Sequence, residues 1–429
     1  MRATSRLSII RYGLASAVLA CLTARLCSQT YTVKVVYGPI CSVFGPLPLF
    51  FGGLNESGLV AGAHWQCADF SEWEGFTWSL NQGMAVIPRP LGVNTLSAGD
   101  VNQAGEVVGT MDVSGFGSVV FVYRDGVVIN LGAPEGATFS QGVAINSHGD
   151  IVGNWGNGVT GIPTPSHALL IVDDELTDIG ADLPQPKSRA RDINDARQVV
   201  GAMWTTLTST TQRAFLWDDG KGIDLGVLPQ GVTSSASGIN NAGIIVGSSR
   251  VPRPTKSGFA SHPVLWQDGV PIDLGVLAGF SGGSANDVND QMQIVGHLSR
   301  EQGSNHGFIW HDGVMRDLND LIPPDSGVTV TSGISINEAG QIAAAGETDD
   351  GDLVGILLTP IPDVTPMGDL NRDLVVDGID LGMLLANWSI PPTAPGCGGD
   401  PGGCTADLNA DGFVNGIDLG ILLANWTIQ

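Results

Sequence analysis

The sequence predicts a mainly β protein, a seven-bladed β-propeller followed by a small α-helical domain built on two acidic loops. Three observations carry that prediction. One asparagine-centred phrase recurs seven times at near-constant spacing. Each copy is followed by short apolar runs set between turn residues. From about residue 367 the pattern changes to an acidic loop and an apolar helix, written twice.

The composition agrees. With 429 residues and 43% hydrophobic content, the chain can build packed cores. Sixty glycines against only 14% charged residues favour many tight turns and short strands over long charged helices. The formal charge of −24 excludes a nucleic-acid partner, which would need clustered basic residues.

Residues 1–28 read as an export signal: Arg2, Arg6 and Arg11 precede the apolar run Gly13–Ala24, which is too short to span a bilayer. No other stretch could span one, so the mature chain is expected to be secreted, extracellular or on the cell surface, with no transmembrane segment. Cleavage is expected after Ala24 or Ser28. Removal of residues 1–28 leaves four cysteines as two local pairs, Cys41 with Cys67 and Cys397 with Cys404, and export makes both expected disulfides.

The repeat phrases are GLNESGLVAG (53–62), DVNQAGEVVG (100–109), AINSHGDIVG (144–153), DINDARQVVG (192–201), GINNAGIIVG (238–247), DVNDQMQIVG (287–296) and SINEAGQIAA (335–344). Their asparagines are Asn55, Asn102, Asn146, Asn194, Asn240, Asn289 and Asn337, separated by 47, 44, 48, 46, 49 and 48 residues. After each phrase come an apolar-aromatic run, Asp/Gly turn residues and, in the clearest copies, an Asp-Leu-Gly phrase. Ala214–Trp217 with Asp224–Gly226, Pro263–Trp266 with Asp273–Gly275, and Gly307–Trp310 with Asp317–Asn319 show it well. That is four short strands per unit, the content of a propeller blade, whereas about 46 residues is long for one coil of a β-solenoid. The last unit has the run Val354–Leu358 but no closing phrase, and Tyr31–Val36 is a strand without a unit of its own. Pairing the two would close the ring and remove its open edges.

Each asparagine is expected to cap a tight turn whose later glycine takes positive φ. Arg197 and Met292 replace that glycine in units four and six, which weakens a strict turn assignment there. The repeats resemble the HAF family of bacterial extracellular repeats, named for a His-Ala-Phe phrase on the apolar strand. Here that phrase is relaxed to His167-Ala-Leu, His262-Pro-Val and His306-Gly-Phe, with Arg213 or Glu74 at the matching place elsewhere. The resemblance covers about residues 50–360 and implies export and a propeller-like fold. The three histidines read as hydrogen-bonded blade residues.

Two phrases imitate enzyme motifs. Gly279-Phe-Ser-Gly-Gly283 fits G-x-S-x-G but occupies an inter-unit linker instead of a strand-to-helix elbow, and Ser71–Trp78 has Trp73 where an Asp-box needs aspartate. No catalytic residues are assigned.

The strongest chemistry is C-terminal. Asp369, Asn371, Asp373, the Val375 carbonyl, Asp377 and Asp380 occupy positions 1, 3, 5, 7, 9 and 12 of a twelve-residue loop. Asp407, Asn409, Asp411, the Phe413 carbonyl, Asn415 and Asp418 repeat the set. Calcium takes six to eight oxygens, and this spacing wraps one ion per loop. Position 6 is Gly412 in the second loop but Leu374 in the first, so the second site is the better formed. The helices Leu381–Trp388 and Leu419–Trp426 follow, each with one apolar face.

Loop then helix, twice, with aspartate at position 12, resembles a type I dockerin over residues 367–429. The likeness implies calcium-dependent folding and docking to a cohesin-like protein or cell-surface receptor, as in assemblies for polysaccharide catabolism. Where dockerins often carry Ser-Thr at loop positions 10 and 11, this chain has Gly378-Ile379 and Gly416-Ile417.

The domains read as a signal peptide (1–28), a seven-repeat β-propeller (29–362) and a dockerin-like duplicated calcium domain (363–429). The preferred function is a secreted, non-catalytic binding or scaffold-associated protein, with polysaccharide as a candidate ligand. The alternative is a carbohydrate-active enzyme, a glycoside hydrolase or polysaccharide lyase. A surface-layer role is the third reading.

Overall fold

The computed structural model describes residues 30–41, 45–66, 72–158, 166–204, 212–253 and 257–361, and then 368, 370, 376–386, 388, 408 and 413–426. Tyr31–Pro360 form one compact unit, and the chain from Ile361 onward belongs to a second.

The first unit is seven four-stranded antiparallel sheets. In blade four, for example, Lys187–Ile193, Val199–Trp204, Arg213–Asp218 and Lys221–Asp224 pair in sequence order. Blade seven differs in its fourth strand: Tyr31–Val36 pairs with Leu353–Pro360 from Tyr31↔Pro360 to Val36↔Gly355. The N-terminus thus supplies the strand the last repeat lacks. Tyr31 is fully buried in the core of that blade, among Ile309, Leu318, Ile342 and Leu358. Because each sheet is apolar on both faces, the cores lie between neighbouring blades. Phe215 of blade four, for instance, packs in one cluster with Ala144, Val152 and Leu170 of blade three.

The final glycine of the repeat phrase has a packing reason. A Cβ at Gly201 would collide with the Arg189 carbonyl of the inner strand, and at Gly296 with the Ser284 carbonyl and the Phe308 ring. The first strand of every blade also carries a register break just before its asparagine: Phe51/Leu54, Ala98/Asp100, Gly142/Ala144, Ala190/Asp192, Ala236/Gly238, Ala285/Asp287 and Gly333/Ser335. A bulge twists the strand and re-aims side chains. Here it turns two successive residues of the inner strand toward the central channel in six blades, and Ser237 in blade five.

In the second unit, helices α1 (Gly378–Ala386) and α2 (Gly416–Ala424) follow the two loops. Val376, Leu384, Val414 and Leu422 are its buried core, with Leu370, Leu381, Trp388, Leu408 and Leu419 packed against them. Among the described residues, no helix is long and apolar enough to cross a membrane.

Candidate functional site

The repeated asparagines do two jobs. Each side-chain oxygen accepts the backbone N–H four residues on, as from Leu59 to Asn55 (3.0 Å) and Ile244 to Asn240 (2.8 Å), which holds the turn. Each side-chain amide donates to the backbone carbonyl of the next blade's asparagine. The chain of donors runs Asn55 to Asn102, Asn146, Asn194, Asn240, Asn289 and Asn337, and Asn337 returns to Asn55 at 3.1 Å. The ring closes on itself. All seven asparagines are buried, at 6% exposure or less.

Arg197 and Met292 adopt the left-handed backbone despite their side chains, with φ of 62° each, and keep the turn through bonds to the Asn194 and Asn289 carbonyls. Units four and six therefore have the same turn as the others. Arg197 also reaches across to Asp150 of blade three at 2.8 Å.

The strand histidines are blade residues, as their pattern suggests. His167, His262 and His306 each contact the aspartate eleven residues on, Asp178 (2.8 Å), Asp273 (2.9 Å) and Asp317 (2.5 Å), and Arg213 meets Asp224 at the matching place (3.4 Å). Each of these aspartates also accepts the N–H two residues further on, closing the fourth strand. Burial would raise the Asp273 carboxyl, but the bonds from His262 and the Gly275 N–H, with the His262 charge, hold it below the usual range. Ser281, in the G-x-S-x-G phrase, bonds the Ser299 carbonyl beside Gly279 with its φ of 89°, so that segment is a turn.

The channel is layered. The residue two before each asparagine is aspartate in blades two, four and six and small elsewhere: Gly53, Asp100, Ala144, Asp192, Gly238, Asp287, Ser335. Each aspartate spans to the next blade. Asp100 accepts the N–H of Val101 and of Ile145, Asp192 those of Ile193 and Ile239, and Asp287 those of Val288 and Ile336. The small partners make room, since a Cβ on Gly53 would collide with the Asp100 carboxylate. Burial, with some repulsion from Asp287, pushes Asp100 up to about 7. Burial and then the Asp287 and Asp100 charges push Asp192 well up, and burial raises Asp287. These carboxylates are inter-blade clamps, with both oxygens of each engaged. Among the described residues, no three His, Cys, Asp or Glu side chains gather closely enough to hold one metal ion.

At the asparagine end the channel widens into a cavity of 340 Å³ lined by Glu56, Asp195, Asp290 and Glu338. There the N–H of Ser147 donates to Asp195, Asp195 to Asn241, Asn241 to Asp290, Asp290 to Glu338 and Glu338 to Glu56.

In the second unit the described loop residues obey one geometry twice. Asp380 accepts the N–H of Leu370 (2.7 Å) and Asp377 (2.9 Å), and Asp418 those of Leu408 (2.7 Å) and Asn415 (2.8 Å). Asp377 and Asn415 cap their helices through the N–H of Ile379 and Ile417. Positions 9 and 12 of each loop thus meet at a helix start, and the position-12 carboxylates are fully buried. Oxygen donors in this arrangement fit a hard cation such as calcium. Phe413 is described, at 38% exposure. Asp369, Asn371, Asp373, Val375, Asp407, Asn409 and Asp411 lie outside the described residues, as do Cys67, Cys397 and Cys404. Cys41 is buried.

Comparison decides the C-terminal unit. Residues 367–425 match the Dockerin type I domain. The chain carries a type I dockerin. Such domains bind calcium, dock onto cohesins and are typical of extracellular or cell-surface proteins. No curated protein matches the chain significantly. Among solved structures, an oligogalacturonate lyase of Vibrio parahaemolyticus is similar at a TM-score of 0.50 and 10% identity, over 77% of this chain and 97% of that one. The β-propeller domain of the Trilobed protease of Pyrococcus furiosus is similar at a TM-score of 0.49 and 12% identity, over 72% of this chain and 95% of that one. At such identities the first likeness shows the fold alone.

Proposed function

We propose that this is a secreted binding component of an extracellular assembly, a propeller of the HAF type held to a cohesin by its calcium-loaded dockerin. The observation that carries the reading is the duplicated loop geometry beside a propeller whose repeated polar residues are absorbed by structure. Channel aspartates clamped through both oxygens do not favour the catalytic alternative. We place one ion in each loop, on Asp369, Asn371, Asp373, the Val375 carbonyl, Asp377 and Asp380, and on Asp407, Asn409, Asp411, the Phe413 carbonyl, Asn415 and Asp418. The mature chain begins near residue 29, with Cys41–Cys67 and Cys397–Cys404 bonded.

In this reading, Ile379 and Ile417, 60% and 58% exposed at the helix starts, replace the usual hydroxyl pair and select a cohesin with an apolar complement. The test is capture of the mature chain on a panel of type I cohesins with calcium or with chelator. Capture should need calcium, and Asp418→Ala should weaken it more than Asp380→Ala, because Gly412 makes the second loop the better site. Capture unchanged in chelator would remove calcium docking from the account.

A further inference from the structure

The channel mouth opposite the asparagine ring differs from the rest of this acidic molecule. On the inner strand of blade four, Lys187, Arg189 and Arg191 alternate with the buried Ser188 and Ala190, so the three cations share one face of the strand. Arg191 lines the channel. Among the described residues the arginines that pair with acids, Arg89, Arg124, Arg197, Arg213 and Arg253, lie elsewhere, and Lys187, Arg189 and Arg191 have no carboxylate at ion-pair distance. Burial, with the neighbouring Arg189 charge, pulls the Arg191 guanidinium below its ordinary value. Asp100, Asp192 and Asp287 share the channel lining with Arg191, but both oxygens of each already accept backbone N–H groups, which leaves the Arg189 and Arg191 guanidiniums to an anion from outside the chain.

The surrounding residues indicate what that is. Counted from the repeat asparagine, the place of Arg189 is held in the other blades by Phe50, Ser97, Gln141, Ser235, Ser284 and Ser332. Each of these is exposed or half-buried while the residue that follows it on the strand is buried. One layer deeper, beside Arg191, stand Ser237 and Asn286. The Arg189 guanidinium lies 5.6 Å from the centre of the Trp204 ring. Hydroxyls and amides match sugar hydroxyls, and paired guanidiniums, one of them held over the half-buried Trp204 ring, take carboxylate or sulfate bidentately. We infer that this end of the channel binds an acidic oligosaccharide, with Arg189 and Arg191 on its anionic groups and the serine-rich ring on its hydroxyls. The inference rests on the reading of the propeller as a binding module and is independent of cohesin docking.

The test is calorimetric titration of the whole mature chain in calcium with three soluble probes: an alginate hexasaccharide (carboxylate), a carrageenan oligosaccharide (sulfate, no carboxylate) and neutral cellohexaose. An anionic probe should bind, weakening as salt rises, and Arg189→Gln/Arg191→Gln should lower its affinity by about 10- to 100-fold. Lys221→Gln, on an outer strand, removes one charge and should leave binding unchanged. The double variant should melt no lower than wild type, because two repelling charges are gone, so lost binding cannot be assigned to misfolding. Which anionic probe binds distinguishes carboxylate from sulfate recognition, and either supports the site. Cellohexaose binding that the double variant retains would overturn the acidic assignment while leaving a binding propeller. No binding by any probe would overturn both.

Discussion

The two ends of the propeller channel are built from the same strands and obey opposite rules. At the asparagine end one residue type recurs in all seven blades, its amides closing a ring. At the other end the equivalent positions hold a phenylalanine, a glutamine, an arginine and four serines. Repetition marks residues whose partner is the equivalent turn of the next blade, because the same turn places its backbone carbonyl in the same position each time. Variation marks positions that face something other than the protein. In a repeat protein, then, the most regular residues are the poorest candidates for ligand contact.

The largest effect that sharpens this contrast comes from opening the ring. Deleting Tyr31–Val36 removes the fourth strand of blade seven and a fully buried tyrosine, and leaves an unpaired edge. The variant should lose at least about 5 kcal/mol, since it sheds a whole strand of ladder bonds and core contacts, and should aggregate or melt at far lower temperature. Calorimetric melting of the purified variant checks this, and a melting temperature equal to wild type would mean that the seven sheets do not depend on closure.

Next in size is a single break in the ring. Asn240→Ala leaves the Ile244 N–H without its partner and takes from the Asn289 carbonyl one of its two donors, the Met292 N–H remaining, which should cost about 1–3 kcal/mol. Ser235→Ala, on the same strand at the open end, should change stability by less than about 0.5 kcal/mol. Denaturant unfolding of the two variants compares them directly, and equal losses would erase the distinction between the two ends.

Much of this architecture was legible in the sequence. The spacing of Asn55 through Asn337 gave the blade count, and the incomplete last unit pointed to Tyr31–Val36 as its missing strand. The turn role of the asparagines was legible too, because its partners lie within four residues. Their inter-blade role was hidden, since the acceptor is a backbone carbonyl 44 to 49 residues away, or 282 where the ring closes, and backbone atoms leave no trace in a pattern of side chains. The channel aspartates did leave one: aspartate two places before the asparagine in units two, four and six, small residues in the others. Read as packing, that alternation foretells side chains crossing to the next blade. The bulges that aim Arg191 and its counterparts inward carry no signature residue, so the open-end site needed the fold.

The aspartate layer makes stability depend on pH. A carboxyl raised in the folded state contributes stability that is fully present below its unfolded value, near 4, and lost as pH rises through its folded value. With Asp100 at about 7 and Asp192 and Asp287 also raised, the propeller should lose stability steadily from pH 4.5 to 7.5. Asp195 and Asp273, held low, act only at the acid end, where their contribution is lost as pH falls through their depressed values. Asp287→Asn removes the charge that repels both Asp100 and Asp192, so it should flatten the slope of melting temperature against pH. A slope of the opposite sign in wild type would show that these carboxyls are not raised.

The smallest effect is the most local. Met292 holds φ at 62° where the other repeats, blade four excepted, have glycine, and a side chain in that conformation costs about 1–2 kcal/mol. The turn imposes it, because the Met292 N–H must reach the Asn289 carbonyl and the Asn289 amide must reach Asn337. At an ordinary position glycine is less stable than alanine by about 0.5–1 kcal/mol, since it has more freedom to lose on folding. Here the order should invert. Met292→Ala keeps the strained backbone and gives up the methionine's packing on the blade-six core, whereas Met292→Gly gives up the same packing and relieves the strain. Met292→Gly should therefore be more stable than Met292→Ala by about 1 kcal/mol in denaturant unfolding. If alanine proves equal or better, the left-handed turn is not held in blade six, and the asparagine ring does not run through that blade in the form described.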